Sequence, residues 1–201
     1  MTSKKLSFRK IKNALAQHTP QRPTSSALAQ QAAVAIVIRS NIDFMEALFI
    51  LRSVRKGDPW SGDIAFPGGH KDNGDLSLRE TAERETFEEI GLNLSHSSCF
   101  LGELDTIELN RRQSKDILVT PFVYSLLDKD FVLHKNHEVA EIFWGPLDQM
   151  IIGTSLVSKE VKRNGTLQYF PGYTLDKQII WGLTFRILQK LFSLISLKDT
   201  N

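Results

Sequence analysis

Three glutamates crowded into one helical turn constrain this chain more than any other feature. They stand in Arg84-Glu85-Thr86-Phe87-Glu88-Glu89-Ile90-Gly91-Leu92. On a helix, Glu85, Glu88 and Glu89 fall at i, i+3 and i+4, so three carboxylates share one face. Like charges that close repel, and without a cation they weaken the helix or push a carboxyl pKa upward. Hard divalent ions take such oxygen clusters, and Mg²⁺ in particular keeps several waters and bridges to substrate phosphates. Arg84 is placed to pair with one carboxylate and fix its rotamer. Taken alone, three glutamates are better read as a solvated helix face. The full string Arg-Glu-x-x-Glu-Glu-x-Gly is a stronger signal, since average residue usage yields it in roughly one chain of this length in several thousand.

A paired-glycine segment precedes it, Phe66-Pro67-Gly68-Gly69. Adjacent glycines let backbone approach a ligand closely. Alone, Pro-Gly-Gly is a tight turn; ahead of a tri-glutamate helix it becomes the strand–loop–helix of a metal–phosphate site. The pattern predicts a brief extended piece at Ile64–Phe66, stopped by Pro67-Gly68-Gly69. A helix is expected over Leu76–Ile90, with Leu78, Ala82, Phe87 and Ile90 on its apolar side and Gly91 as C-cap.

The rest of the chain supplies a scaffold of ordinary size. At 201 residues it suits one domain, and 41% hydrophobic with 24% charged residues describes a globular protein. Buried strands are expected at Ala32–Arg39 and Ala47–Arg52, with a turn at Asn41-Ile42-Asp43. Residues 55–63 are turn-formers. Further strand-like runs lie at 99–109, 117–126 and 139–144. A hairpin is expected from Ser155–Val161 and Thr166–Phe170 around Asn164-Gly165, then a long helix over Ile179–Leu197. This order argues a mixed α/β layered domain over 32–197. Trp144 and Trp181 read as core. Cys99 cannot form an internal disulfide; it reads as a small buried hydrophobe, and a reducing, cytoplasmic setting is the default. No apolar run approaches about 18 residues, so no membrane helix is expected.

Residues 1–31 read as a basic helix (5–17, with Leu6, Ile11 and Leu15 at helical spacing) and a linker. No Asp or Glu precedes Asp43, while seven basic residues do: Lys4, Lys5, Arg9, Lys10, Lys12, Arg22 and Arg39. An amphipathic helix lying on the domain is the favoured reading; a mitochondrial-type leader is the weaker one. The net charge of +2 gives no mandate for binding a nucleic-acid polymer.

Gly69 through Leu92 resembles the Nudix box, G-x5-E-x7-R-E-U-x-E-E-x-G-U, where U is apolar. The match departs at two places. Fourteen residues, 70–83, separate Gly69 from Arg84 against thirteen in the pattern, so the first glutamate of the box falls at either Asp75 or Leu76. Thr86 stands where an apolar residue is usual. Within the family, the coenzyme A pyrophosphatase branch is the most similar. It often carries the same expansion of the box, and has an upstream signature resembling Phe49-Ile50-Leu51-Arg52-Ser53 and Gly62-x3-Phe66-Pro67-Gly68-Gly69. His137-Glu138-Val139-Ala140-Glu141-Ile142-Phe143-Trp144 with Pro146-Leu147, and Ile180-Trp181-Gly182-Leu183-Thr184, match loosely. Asp58 occupies the place of a second signature arginine.

The resemblance implies an α/β/α sandwich with a mixed central sheet and a pyrophosphohydrolase using Mg²⁺ (or Mn²⁺). Glu85, Glu88, Glu89 and the Gly68 carbonyl would hold the ion. Glu138, outside the box, is the candidate general base. Arg52 is placed to reach a substrate phosphate. Gly69 lies against the same ligand, and Trp60 either stacks on an adenine ring or folds back onto the core. Arg111, Arg112 and Lys115 form a basic loop. His70 is read as a hydrogen-bonder, since histidine suits softer ions. The implied substrate is a small-molecule diphosphate, first coenzyme A or acyl-CoA. ADP-ribose, nucleotide sugars, (deoxy)nucleoside triphosphates or a non-catalytic binding module are the alternatives, and a homodimer is compatible with all of them.

Overall fold

The computed structural model describes residues 6–23, 29–41, 44–57, 60–109, 116–127, 131–163 and 165–197. In chain order the elements are α1 (Phe8–Ala16), β1 (Gln30–Ser40), β2 (Met45–Arg52), β3 (Ile64–Ala65), β4 (Gly68–His70), α2 (Leu78–Ile90), α3 (Leu94–Ser97), β5 (Ser98–Glu103), β6 (Ile107–Leu109), β7 (Ile117–Leu126), β8 (Val139–Pro146), α4 (Leu147–Ile152), β9 (Leu156–Arg163), β10 (Thr166–Leu175), β11 (Gln178–Trp181) and α5 (Gly182–Leu197).

The main sheet is mixed. β1 and β7 run parallel from Gln30↔Ile117 to Ile38↔Ser125, and the other pairings are antiparallel. Strands β1 and β2 pair only near their turn, Ile38↔Ala47 to Ser40↔Met45. Farther along, the segment that follows β2 fills the gap: β3 pairs with β2, and β4 pairs with β1 through Ala33↔Gly69 and Val34↔Gly68. A separate sheet is ordered β11-β10-β9.

Strand periodicity sends alternate residues of β1 to opposite faces. Ala33, Ala35 and Val37 join Leu48, Ile50, Ala82, Ile90, Phe122 and Tyr124 beneath α2. Ile36 and Ile38 join Ile11, Leu15, Ile187, Leu188 and Leu191 on the side of α1 and α5. Both faces are covered by helices, which makes an α/β/α sandwich. The small alanines at 33 and 35 let α2 lie close to the sheet.

The N-terminal helix lies on the domain. Ser7 caps it by accepting from the Lys10 N–H, and Leu6, Ile11, Ala14 and Leu15 are buried in the shared core. Asp148 fastens its start, accepting from the Leu6 and Met45 N–H groups at 2.7 Å each. Among the described residues, no helix is long and apolar enough to cross a membrane.

Several expectations need correcting. The 99–109 run is broken at 104–106 into β5 and β6. Cys99 is exposed, because β5 is the outer strand of the sheet and leaves its open side to solvent. The final helix starts at Gly182, since Gln178–Trp181 pairs with β10. Phe87 is 56% exposed; the buried line of α2 runs Ala82, Thr86, Glu89, Ile90, and Phe87 falls outside it. Trp144 and Trp181 are only half-buried: Arg39 lies over the Trp144 ring, and Trp181 Nε1 donates to Asp63 Oδ1. The Ile42-Asp43 turn, Asp58, Asn164 and the basic loop of Arg111, Arg112 and Lys115 lie outside the described residues.

Candidate active site

The site is built where β4 meets α2. Helix α2 starts by a reciprocal cap: Ser77 Oγ accepts from the Glu80 N–H (3.1 Å), and Glu80 Oε2 reaches back to the Leu76 N–H (2.8 Å). It ends at Gly91, left-handed at φ 71°, which returns its N–H to the Phe87 carbonyl. The last carbonyls are not left open. Asn136 N–H donates to the Glu89 carbonyl and His134 N–H to that of Ile90, so the 134–138 segment is tied to the end of the glutamate helix.

The expected glycine loop is instead a strand. Gly68 stands at φ 151° with its Cα hard against Ala33 and Val34 of β1, where a side chain would meet the Ala33 carbonyl oxygen at 2.2 Å. Its N–H donates to Glu89 Oε2 at 2.9 Å. The missing side chain of Gly69 makes room for the Glu85 carboxylate: a Cβ there would lie 2.5 Å from Glu85 Oε1. The paired glycines therefore seat two of the three glutamates.

Arg84 organises the remainder. Its Nε and Nη2 clamp Asp75 (2.9 and 3.0 Å), Nη2 also reaches the His70 carbonyl, and Nη1 donates to Glu85 Oε1 (3.0 Å) and Glu88 Oε2 (3.2 Å). Asp75 is buried and accepts further from Thr81 Oγ1 and the Asp72 N–H. The Arg84 hydrogen bond holds its carboxyl well below the usual range despite burial. Leu76 is 88% exposed, so the acidic position left open by the expanded spacing is Asp75.

Electrostatics mark the glutamates. Burial raises the Glu85 carboxyl against the opposing pull of Arg84. Burial pushes Glu89 up to about 8, although the Gly68 N–H and Arg52 favour its ionised form. Glu138 adds to the rise of both, which places it in their neighbourhood. Glu138 precedes β8, and its carbonyl accepts from the Ser53 N–H. Arg52 ends β2 opposite Val139 and exchanges backbone hydrogen bonds with Gly62 and Asp63. Thus Gly68, Gly69, Arg52, Glu85, Glu88, Glu89 and Glu138 converge. Trp60 instead packs on the Ala32–Ile117–Val119 cluster with Leu183 of α5. His70 meets Arg84 only through its carbonyl.

Sequence reasoning missed Arg55, whose Nη1 donates to Glu138 Oε1 at 2.9 Å. Nothing in its sequence neighbourhood signals this, because the partner is 83 positions away.

The donor set fits a hard divalent ion. All of its side chains are carboxylates, and two have pKa values raised by unrelieved burial, which a cation would reverse. Among the described residues, no three acidic, His or Cys side chains already surround one point closely enough to hold a metal. Arg84 Nη1 engages Glu85 and Glu88.

Residues 29–166 match the model of the NUDIX domain. The chain is 38% identical over 133 residues to the uncharacterized Nudix hydrolase NudL of Photorhabdus laumondii, covering 65% of this chain and 67% of that one. It is 34% identical over 135 residues to the peroxisomal coenzyme A diphosphatase ndx-8 of Caenorhabditis elegans, covering 66% of this chain and only 55% of the relative's length. The fold is like that of the MutT protein from Methanosarcina mazei Go1 (TM-score 0.55, 16% identity, 88% of this chain and all of that one).

Proposed function

The chain belongs to the Nudix hydrolase family, and from that premise we propose that it splits the diphosphate of coenzyme A or an acyl-CoA. The products are 3′,5′-ADP and (acyl-)phosphopantetheine. The observation that carries the hydrolase reading is the seating of Glu85 and Glu89 on the side-chain-free edge of Gly69 and Gly68, with both carboxyls raised by burial. The coenzyme A reading is supported by the Phe49–Ser53 and Gly62–Gly69 signature and by likeness to a relative named as a coenzyme A diphosphatase.

Glu85, Glu88 and Glu89, with Gly68, would hold Mg²⁺ or Mn²⁺. Bound there, the ion supplies charge neutralisation of the diphosphate and a more acidic attacking water. The chain's own groups do the rest. Glu138 accepts the proton of the attacking water. Arg52 offers a fixed positive charge to a phosphoryl oxygen. Asp75 locks Arg84, which keeps Glu85 and Glu88 in reach of the ligand.

The test is incubation with coenzyme A and Mg²⁺, Mn²⁺ in parallel, and chromatography of the products. Glu85→Gln and Glu89→Gln should abolish turnover and weaken metal binding while the fold stays intact. Cleavage of ADP-ribose or a nucleoside triphosphate, but not coenzyme A, would keep the mechanism and move the substrate; Asp58 at the signature arginine's place favours that second reading. No metal-dependent hydrolysis of any diphosphate would leave a binding module.

A further inference from the structure

The side chain of Arg55 has one terminal nitrogen committed to a partner and the other buried and unmet. The residue lies three positions beyond β2, and its backbone N–H donates to Ser61 Oγ at 2.8 Å, which holds the turn without help from the side chain. Nη1 is committed to Glu138 Oε1 at 2.9 Å. Nη2 is shut off from solvent and meets no hydrogen-bond acceptor among the described residues. A buried donor without an acceptor is a cost to the folded state, and guanidinium donors are almost always met. Packing does not demand it here, since the side chain as a whole is 37% exposed.

Its surroundings say what would meet that donor. Glu138 is near enough to Glu85 and Glu89 to disfavour their ionised forms. The Glu138 carbonyl takes the Ser53 N–H, so Arg55 and Glu138 are held together beside the end of β2, where Arg52 also stands. A planar fork with one tine on a carboxylate suits a tetrahedral oxyanion on the other.

We propose that Arg55 binds a non-bridging oxygen of the substrate diphosphate through Nη2, which a turn of its 37% exposed side chain uncovers, while Nη1 positions Glu138. The proposal rests on the hydrolase reading above for its substrate class. No bond is made or broken at Arg55: it holds a fixed charge, links the phosphate to the candidate base, and leaves proton transfer to Glu138.

The test is equilibrium binding of α,β-methylene-ADP, a diphosphate that is not hydrolysed at its bridge, measured by calorimetry with Mg²⁺. The proteins are wild type, Arg55→Lys, Arg55→Ala, Glu138→Gln and the Arg55→Ala/Glu138→Gln double variant. Arg55→Ala should weaken binding ~10- to 100-fold, the worth of a charge-assisted hydrogen bond. Arg55→Lys should recover only part, because it restores charge without the fork. The loss should persist in the Glu138→Gln background and appear in turnover as a raised KM. Where Arg55→Ala fails to fold, Arg55→Lys carries the same comparison. Wild-type affinity in Arg55→Ala, a loss confined to proteins with intact Glu138, or no binding by the wild type would overturn the proposal. Binding is read without turnover, so a wild type that binds the analogue and hydrolyses nothing defeats the hydrolase reading alone.

Discussion

Replacing Gly69 by alanine isolates the geometric part of the site. The added Cβ would lie 2.5 Å from Glu85 Oε1 and Cδ and 2.7 Å from Oε2, where ordinary contact begins at 3.4 Å. The carboxylate must therefore retreat by about 0.9 Å. It is the far end of a flexible side chain, so stability should fall by only about 1 kcal/mol. A reacting group displaced by ~1 Å costs on the order of 10²-fold in rate. Gly68→Ala is the contrasting control. Its Cβ would strike backbone, 2.2 Å from the Ala33 oxygen and 2.6 Å from Val34 Cα, at φ 151°. Strain alone costs ~1–3 kcal/mol there, and the β1–β4 pairing must open. The assay pairs kcat for metal-dependent hydrolysis with urea unfolding of each variant. Gly69→Ala should lose about 10²-fold in kcat at nearly native stability, and Gly68→Ala should lose stability first. Full kcat in Gly69→Ala would refute the claim that the glycine seats a working carboxylate.

Three further outcomes follow from the buried charges. Asp75→Ala should destabilise the protein by ~1–3 kcal/mol in urea titration, since it removes the acceptor of Arg84 Nε and of buried Thr81 Oγ1 while Arg84 keeps Glu85 and Glu88. The Asp75 carboxyl is held below its unfolded value near 3.8, so its contribution is present above that pH and is lost as pH falls through the lower folded value; Asp75→Asn should flatten this acid limb of thermal stability. Glu89 has the opposite sign. Its folded pKa of about 8 lies above 4.5, so the metal-free fold binds the extra proton, and stability present below 4.5 is lost as pH rises towards 8. In chelator, the wild-type Tm should drop across that window while Glu89→Gln stays level; equal slopes would show that Glu89 is not the buried acid described.

Much of the site was legible because its chemistry is local. The i, i+3, i+4 glutamates and Gly91 at the helix end are set by helix geometry within a few residues, whereas the start, expected at Leu76, lies at Leu78 behind the Ser77 cap. The unbroken apolar run Ala32–Ile38 likewise marks a strand buried on both faces. What failed to read out was decided by position in the tertiary fold. Cys99 is as apolar as a core residue, yet its strand is an outer one. Gln178–Trp181 continues the apolar run of α5 but has β10 to pair with. Phe87 is the most apolar residue of its turn and still faces water, because the line facing the sheet is occupied by Ala82, Thr86, Glu89 and Ile90.

The sequence by itself determined the donor set: three carboxylates and an arginine on one turn, behind two glycines. Only the tertiary structure decided how they are used. It made Gly68–His70 a strand that fills the gap between β1 and β2, selected Asp75 over Leu76 as the partner of Arg84, and brought Arg55 to Glu138 across 83 positions. The reason is that residue spacing fixes directions only within one helix or strand. Which carboxylate is buried, and which cation faces it, is set by how separate elements close over one another and exclude water.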